Sequence, residues 1–201
     1  SALSSSAPRG WGFSSNTSAG VQLEERSLES VYLVSRNLVA GQPNVDSGTD
    51  VNVRQELQLV RDRGYYVQEE VIMLDERLTL VGALRGEQSS NNGDPNKLFF
   101  YPKLATAYRV PSFHPQVDEF KVRLAYGETG NQPLYGQKFT PLQATSNIDG
   151  QPGLLGTGIA GDNNIQPERQ REVELGLDAL FFGGDLVTEF TAAARLFWAD
   201  N

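Results

Sequence analysis

The sequence predicts an all-β protein, an antiparallel transmembrane β-barrel segment of about eight strands that would form an open curved sheet in isolation. Three observations carry this expectation. Candidate strands are long, approaching the ~9–11 residues that a tilted membrane strand needs rather than the ~5–6 typical of soluble sheets. They alternate apolar and polar residues, so each has one greasy and one wet face. Their connections alternate between short turns and long polar loops, and outer-membrane barrels pair periplasmic turns with extracellular loops in this way.

The strands are expected near 13–25, 28–37, 63–74, 77–88, 98–109, 119–128, 170–181 and 185–198. In the first, Ala19, Val21 and Leu23 oppose Gly20, Gln22 and Glu24. The pair 63–74 and 77–88 reads as a hairpin closed by a turn at Asp75 and Glu76, with Leu78, Leu80 and Leu84 facing lipid and Arg77, Arg85 and Glu87 facing the lumen. Further along, Leu104, Thr106 and Tyr108 oppose Lys103, Ala105 and Arg109. Phe120, Val122, Leu124 and Tyr126 oppose Lys121, Arg123 and Gly127, while Val173, Leu175 and Leu177 oppose Glu172, Glu174 and Asp178.

Tight turns are expected at Arg26-Ser27, Asp75-Glu76 and Gly183-Gly184, with a moderate one over the VPSFHPQVD segment at 110–118. Long loops rich in Gly, Asn, Asp, Gln and Pro are expected at 38–62, 89–97 and 129–169. The alternating stretch 51–59 is assigned to the first of these loops, as a strand extension above the membrane, because one more spanning strand would put long loops on both ends. Aromatics gather at strand ends: Tyr65, Tyr66, Phe99, Phe100, Tyr101 and Tyr126 toward the long loops, Tyr108, Phe181 and Phe182 toward the short turns. Both sets match interfacial girdles.

Composition narrows the function. Of 201 residues, 39% are hydrophobic and 21% charged, which suits a folded domain. The net charge of −8 and the absence of any Lys/Arg run exclude a nucleic-acid surface. No cysteine is present, so disulfides and thiolate chemistry are excluded by inventory. The mean hydropathy of −0.38 and the lack of a long apolar run exclude a membrane-spanning helix but leave a barrel untouched, since alternating strands carry little hydropathy signal. The chain begins at Ser1 without methionine or a signal peptide and reads as a mature or internal piece.

Residues of chemically capable types resolve into structural roles. His114, the single histidine, lies between Phe113 and Pro115 and reads as a turn residue; one imidazole cannot build a multi-histidine metal site. Gly156, Gly158 and Gly161 fit GxGxxG with Asp178 downstream, but QPGLL precedes them and DNNIQPE follows, with no helix to face a pyrophosphate. The carboxylate pairs Glu24/Glu25, Glu69/Glu70 and Glu172/Glu174 have no partner nucleophile, and Glu172 and Glu174, two apart, share a strand face that would line a hydrated lumen. No catalytic, cofactor or metal residue is expected, and no single substrate-binding residue is assigned.

Six motifs in order resemble the TonB-dependent outer-membrane receptors of the SusC/RagA-like branch. They are GYYVQEE at 64–70, DERLTL at 75–80, ALRGE at 83–87 followed by Ser89, Ser90 and Asn91, FYPK at 100–103, VRLAYGETGNQP at 122–133, and QPER at 166–169 leading to EVELGLD at 172–178. The resemblance implies a place in a barrel of about 22 strands, in the outer membrane, importing nutrients such as oligosaccharides or peptides. It also implies contact with outer-membrane lipid, drive from the TonB complex through an N-terminal plug, and a SusD-like lipoprotein lid. Residues 1–201 carry neither plug nor TonB box, so they are expected to be part of the barrel domain only. The runner-up reading is a soluble β-sandwich binding module, which would turn the same apolar face onto a second sheet.

Overall fold

The computed structural model describes residues 2–6, 13–38, 40–111, 114–148, 151–183 and 186–200. One curled eight-stranded antiparallel sheet holds β1 (Ala2–Ser6), β2 (Phe13–Leu38), β3 (Gly48–Met73), β4 (Leu78–Ser89), β5 (Phe99–Val110), β6 (Val117–Asn131), β9 (Glu168–Gly183) and β10 (Leu186–Asp200) in that spatial order. A separate hairpin of β7 (Leu142–Ile148) and β8 (Gln151–Gly156) sits in the connection between β6 and β9. The sheet is all next-neighbour antiparallel, as up-and-down barrel walls are. No second sheet covers it among the described residues, so the β-sandwich reading is not favoured.

The expected break at Arg26-Ser27 does not exist. β2 runs unbroken for 26 residues and pairs with the 26-residue β3 from Phe13↔Met73 to Leu38↔Gly48. Arg26 has no turn chemistry and the Ser27 hydroxyl only weak turn chemistry, and cross-strand pairs carry the ladder through the site. Arg26 Nη2 meets Asp62 at 2.6 Å, Arg61 Nε meets Glu25 at 2.8 Å, and Gln55 Nε2 donates to Glu29 at 2.9 Å. The Asp62 hydrogen bond and charge hold the Arg26 guanidinium still more firmly protonated. Stretch 51–59 is accordingly strand, rising above the barrel rim as a two-stranded ribbon.

Strand 13–25 therefore runs toward the long-loop end and not away from it, and loop parity is preserved. At one end lie the turn 74–77, the connection 111–116 and the β9–β10 junction, where Leu186 pairs with Gly183 and Gly184 is outside the described residues. At the other lie the tip of the ribbon, the segment 90–98 and the segment 132–167. The turn after β3 places Leu74, Asp75 and Glu76 at φ of 57°, 54° and 67°, and Arg77 N donates to Leu74 O at 3.2 Å. Three successive non-glycine residues in the left-handed region are a strained way to close a hairpin.

Register fixes the two faces. Val71, Leu80, Thr106, Leu124 and Leu175 follow one another across β3, β4, β5, β6 and β9 on the outward face. Leu104 is 59% exposed and Leu124 48% exposed, values that a water-facing wall of this width would not carry without cost. Toward the long-loop end this face closes with an ionic cluster: Tyr126 Oη and Arg171 Nε engage Glu128, Arg169 Nη1 meets Glu128 at 3.1 Å, and Arg171 also reaches Asp200. The girdle expectation needs correction. Consecutive strand residues point to opposite faces, so Tyr65 and Phe100 face outward while Tyr66, Phe99 and Tyr101 belong to the inner set; Phe99 and Tyr101 are buried. The Phe182 side chain lies outside the described residues.

Candidate functional site

The inner face is a wall of charged and amide side chains delivered by the same alternation. At the upper end, Arg85 Nη2 donates to Gln22 Oε1 at 2.9 Å, Arg85 Nε pairs with Glu87, and Gln132 Nε2 donates to Glu87 Oε2 at 3.3 Å. Gly64 sits opposite Gln22 and Glu87, and a Cβ there would press within 3.0 Å of the Arg85 guanidinium. Glycine at 64 lets Arg85 lie flat along the wall and reach across to β2.

Lower on the wall, Arg123 and Asp178 form an ion pair, in which Nη2 donates to Oδ1 at 3.0 Å and Nε lies 2.9 Å from Oδ2 without a hydrogen bond. Gly176, directly opposite Arg123, leaves room for that guanidinium. Glu174 and Glu172 both face Arg195 from β10, at 3.0 and 3.7 Å. Glu172, Glu174, Gln170, Gly127 and Lys103 line a cleft of about 310 Å³. These groups are partly solvent-exposed, so the pairs contribute little stability, roughly 0.2–1 kcal/mol each. They make a polar surface of hydrogen-bond donors and acceptors along the inner face.

The three carboxylate pairs separate as strand geometry dictates. Glu24 turns to Arg26 at 3.2 Å, whereas Glu25 turns to Arg61 on the other face. Glu69 faces outward, taking hydrogen bonds from Ser15 and Thr17, and Glu70 takes the inner position opposite Asn16 and Val81. Only Glu172 and Glu174 share a face, and Arg195 bridges them. His114 is held in its turn: Gln116 N donates to its Nδ1 at 3.2 Å and Val117 N to its carbonyl at 2.9 Å. Gly156 ends β8, Gly158 has φ +83°, and turn and irregular chain lead from Gly161 into β9, so no helix follows the glycine motif. Among the described residues no group of three or more His, Asp or Glu is placed to hold a metal.

Above the wall, two loops lock together. Lys138 Nζ donates to Ser90 O at 2.7 Å and Asn92 O at 3.3 Å, Asn91 Nδ2 donates to Pro133 O at 3.0 Å, and Gly93 N donates to Ile165 O at 2.9 Å. Ser89, Asn91 and Asn92 are the buried polar residues of the described chain. Lys138 and Gly93 had no signal in sequence, because they donate to backbone carbonyls more than 40 residues away, and Asn92 had none because its carbonyl accepts from Lys138 at a similar separation. The expected polar loop 129–169 is thus neither loose nor wholly irregular: it carries β7–β8 and clasps segment 90–98 over the mouth.

The sequence matches the profile of the family described as TonB dependent receptor-like, beta-barrel, over residues 3–200. Among curated proteins it is 32% identical over 121 residues to TonB-dependent receptor P26 of Formosa agariphila, covering 56% of this chain and 12% of that protein. Among solved structures it superposes on a chain of the RagAB peptide transporter with a TM-score of 0.77 at 14% identity, covering 96% of this chain and 22% of that one. The open-open state of the RagAB peptide importer gives 0.76 at 15% identity, with the same coverage. These identities speak to fold alone. The chain spans about an eighth of the curated relative and about a fifth of the RagAB chains.

Proposed function

We propose, from the premise that this chain belongs to the TonB-dependent receptor β-barrel family, that it forms wall and extracellular loops of an outer-membrane importer of the SusC/RagA kind. The barrel sits in the outer membrane. Its cargo is a nutrient of the oligosaccharide or peptide class, its drive comes from the TonB complex through a plug domain that residues 1–201 do not supply, and a SusD-like lipoprotein closes its outer side. The family transports rather than transforms, and the residues lining this wall act by binding and guiding rather than by catalysis.

The observation that carries the reading is the pairing of two features in one sheet: an outward apolar face and an inner face of ion pairs, with the long loops, among the described residues, at the same end. A water-filled passage explains why Glu172, Glu174, Arg123 and Asp178 stay partly exposed on the inner side while Leu104 and Leu124 stay exposed on the other.

Sidedness tests it. In cells carrying the full-length parent protein, Asn44→Cys at the ribbon tip is expected to react with a membrane-impermeant maleimide, and Glu76→Cys in the short turn only after the outer membrane is permeabilised. Labelling of both in intact cells, or of neither, would refute the orientation.

A further inference from the structure

The outward face carries arginines at one height, and one of them stands without a partner. Arg63 lies ten residues above Met73 along β3, and Arg171 ten residues above Phe181 along β9. At ~3.3 Å per residue and a tilt of ~40°, such a stretch rises about 25 Å, the height of the apolar band of an outer-membrane barrel. Both guanidiniums therefore stand where hydrocarbon gives way to headgroups. Arg171 is engaged by Glu128 and Asp200, and Arg61, two residues above Arg63 on the same face, meets Glu25 at 2.8 Å. Arg63 is exposed and has no carboxylate or hydrogen-bond partner for its side chain among the described residues.

Below Arg63 the same face is bare hydrocarbon. Leu23 stands directly opposite it on β2 and is 72% exposed, and the next outward pair down is Val21 with Tyr65, 45% and 42% exposed. On its other side Tyr65 pairs with Gly86, where a Cβ would come within 3.2 Å of the Phe100 ring and 3.3 Å of Leu98. Glycine at 86 lets Phe100 and Leu98 lean over β4 and carry the apolar shelf from β2 to β5. The neighbouring carboxylates Asp62 and Glu87 take the inner face, where Arg26 and Arg85 hold them. The result is one cation of unspent charge at the upper edge of an uncovered apolar shelf.

We infer that Arg63 binds the phosphate of an outer-leaflet lipid whose acyl chains lie on the shelf of Leu23, Val21, Tyr65 and Phe100. A guanidinium matches phosphate oxygens as a planar fork and is more weakly hydrated than an ammonium. An exposed guanidinium holds a free phosphate weakly. Acyl chains against the apolar shelf supply the rest, since binding at a membrane surface adds apolar burial to charge attraction. An acidic peptide would answer the charge and leave the shelf, which lies below it at bilayer depth, uncovered. This site rests on the outer-membrane barrel reading and adds to it one lipid held at a fixed place by its headgroup.

The test uses detergent-solubilised full-length parent protein and a photoreactive phosphatidic acid with a diazirine in one acyl chain, the crosslinks being mapped by mass spectrometry. Crosslinks are expected at Leu23 or Tyr65, and Arg63→Gln is expected to lower them about tenfold, the loss of one charge-assisted pair. Lys121→Gln, which removes a cation from the inner face opposite Asp178, is expected to leave them unchanged. A diacylglycerol with the same diazirine chain is expected to label the shelf about tenfold less than the phosphatidic acid, and inorganic phosphate at the lipid's concentration is expected to displace neither. Heat-modifiable gel migration reports whether Arg63→Gln is folded, and the comparison of the two lipids on the parent protein stands without it. Equal labelling by the two lipids, equal labelling of folded Arg63→Gln and parent, an equal loss in Lys121→Gln, displacement by inorganic phosphate, or no crosslink on the shelf would overturn the proposal. The barrel's orientation fails by a different result, equal labelling of Asn44→Cys and Glu76→Cys in intact cells, which crosslinking in detergent does not affect.

Discussion

Leu124→Arg in the full-length parent protein is expected to cost about 2–4 kcal/mol, read as a fall in the denaturant midpoint of the refolded barrel in lipid. Leu124 sits in the middle of the outward face of β6, between Val122 and Tyr126 along the strand and beside Thr106 and Leu175 across it. A guanidinium there has no carboxylate at its own level on that face and must snorkel past Tyr126 toward Glu128, which already holds Arg169 and Arg171. The next residue supplies the control. Ala125 faces inward, opposite Glu174 and beside the inner-face cleft. Ala125→Arg gains a carboxylate neighbour and loses no hydrocarbon contact, so it is expected to stay within about 0.5 kcal/mol of the parent. Two adjacent residues with the same substitution and unequal outcomes separate lipid from lumen more sharply than either alone.

Gly93→Val is expected to undock the two loops over the mouth without harming the wall. A Cβ at 93 would collide with the backbone carbonyl of Asn163, and a backbone neighbour cannot swing aside as a side chain can. Overpacking of this kind costs about 1–3 kcal/mol. The cost falls on the clasp made by the Gly93 N–H to Ile165 O and by Lys138 to Ser90 and Asn92. Limited trypsin digestion of the parent in its membrane reads the result. Cleavage after Lys138 is expected to accelerate at least tenfold, with heat-modifiable migration of the barrel unchanged. Equal cleavage of variant and parent would mean that the loops are not held by this contact.

Much of the wall was legible in the sequence because alternation is a local property. Leu78, Leu80 and Leu84 against Arg85 and Glu87 declare two faces within one strand, and the register delivers them as read. The motif order from GYYVQEE to EVELGLD likewise placed β3 to β9 in a family that the profile match bears out. What escaped was set by distance. The ribbon continues through Arg26 and Ser27 because of Asp62, Arg61 and Gln55, and nothing near residue 26 announces them. β1 is a five-residue stretch, Ala-Leu-Ser-Ser-Ser, whose strand state comes from pairing with residues 16–20. The β7–β8 hairpin was hidden by the Gly, Asn and Pro content of its surroundings. The aromatic belt differs from expectation for a simpler reason: adjacent strand residues share a level but not a face, and alternation sends Tyr65 and Tyr66 to opposite sides.

Within the site, glycines proved more telling than charges. Gly64 and Gly176 each make room for an arginine to lie along the wall, Arg85 in one case and Arg123 in the other. Gly130 does the same for a ring, since a Cβ there would strike the Tyr101 hydroxyl. Paired carboxylates, which look like chemistry on paper, are divided between faces by the pleat or bridged by Arg195. A surface built this way pairs its arginines with neighbouring carboxylates along the wall.

The central claim is that the outward face meets lipid and the inner face water. Nitroxide accessibility measures it directly, with one spin label attached through Leu104→Cys and another through Ala125→Cys in the full-length parent reconstituted into bilayers. The label at 104 is expected to collide mainly with oxygen dissolved in the lipid and the label at 125 mainly with a water-soluble nickel chelate. Ready access of the nickel chelate to both positions, or the reverse preference, would contradict it.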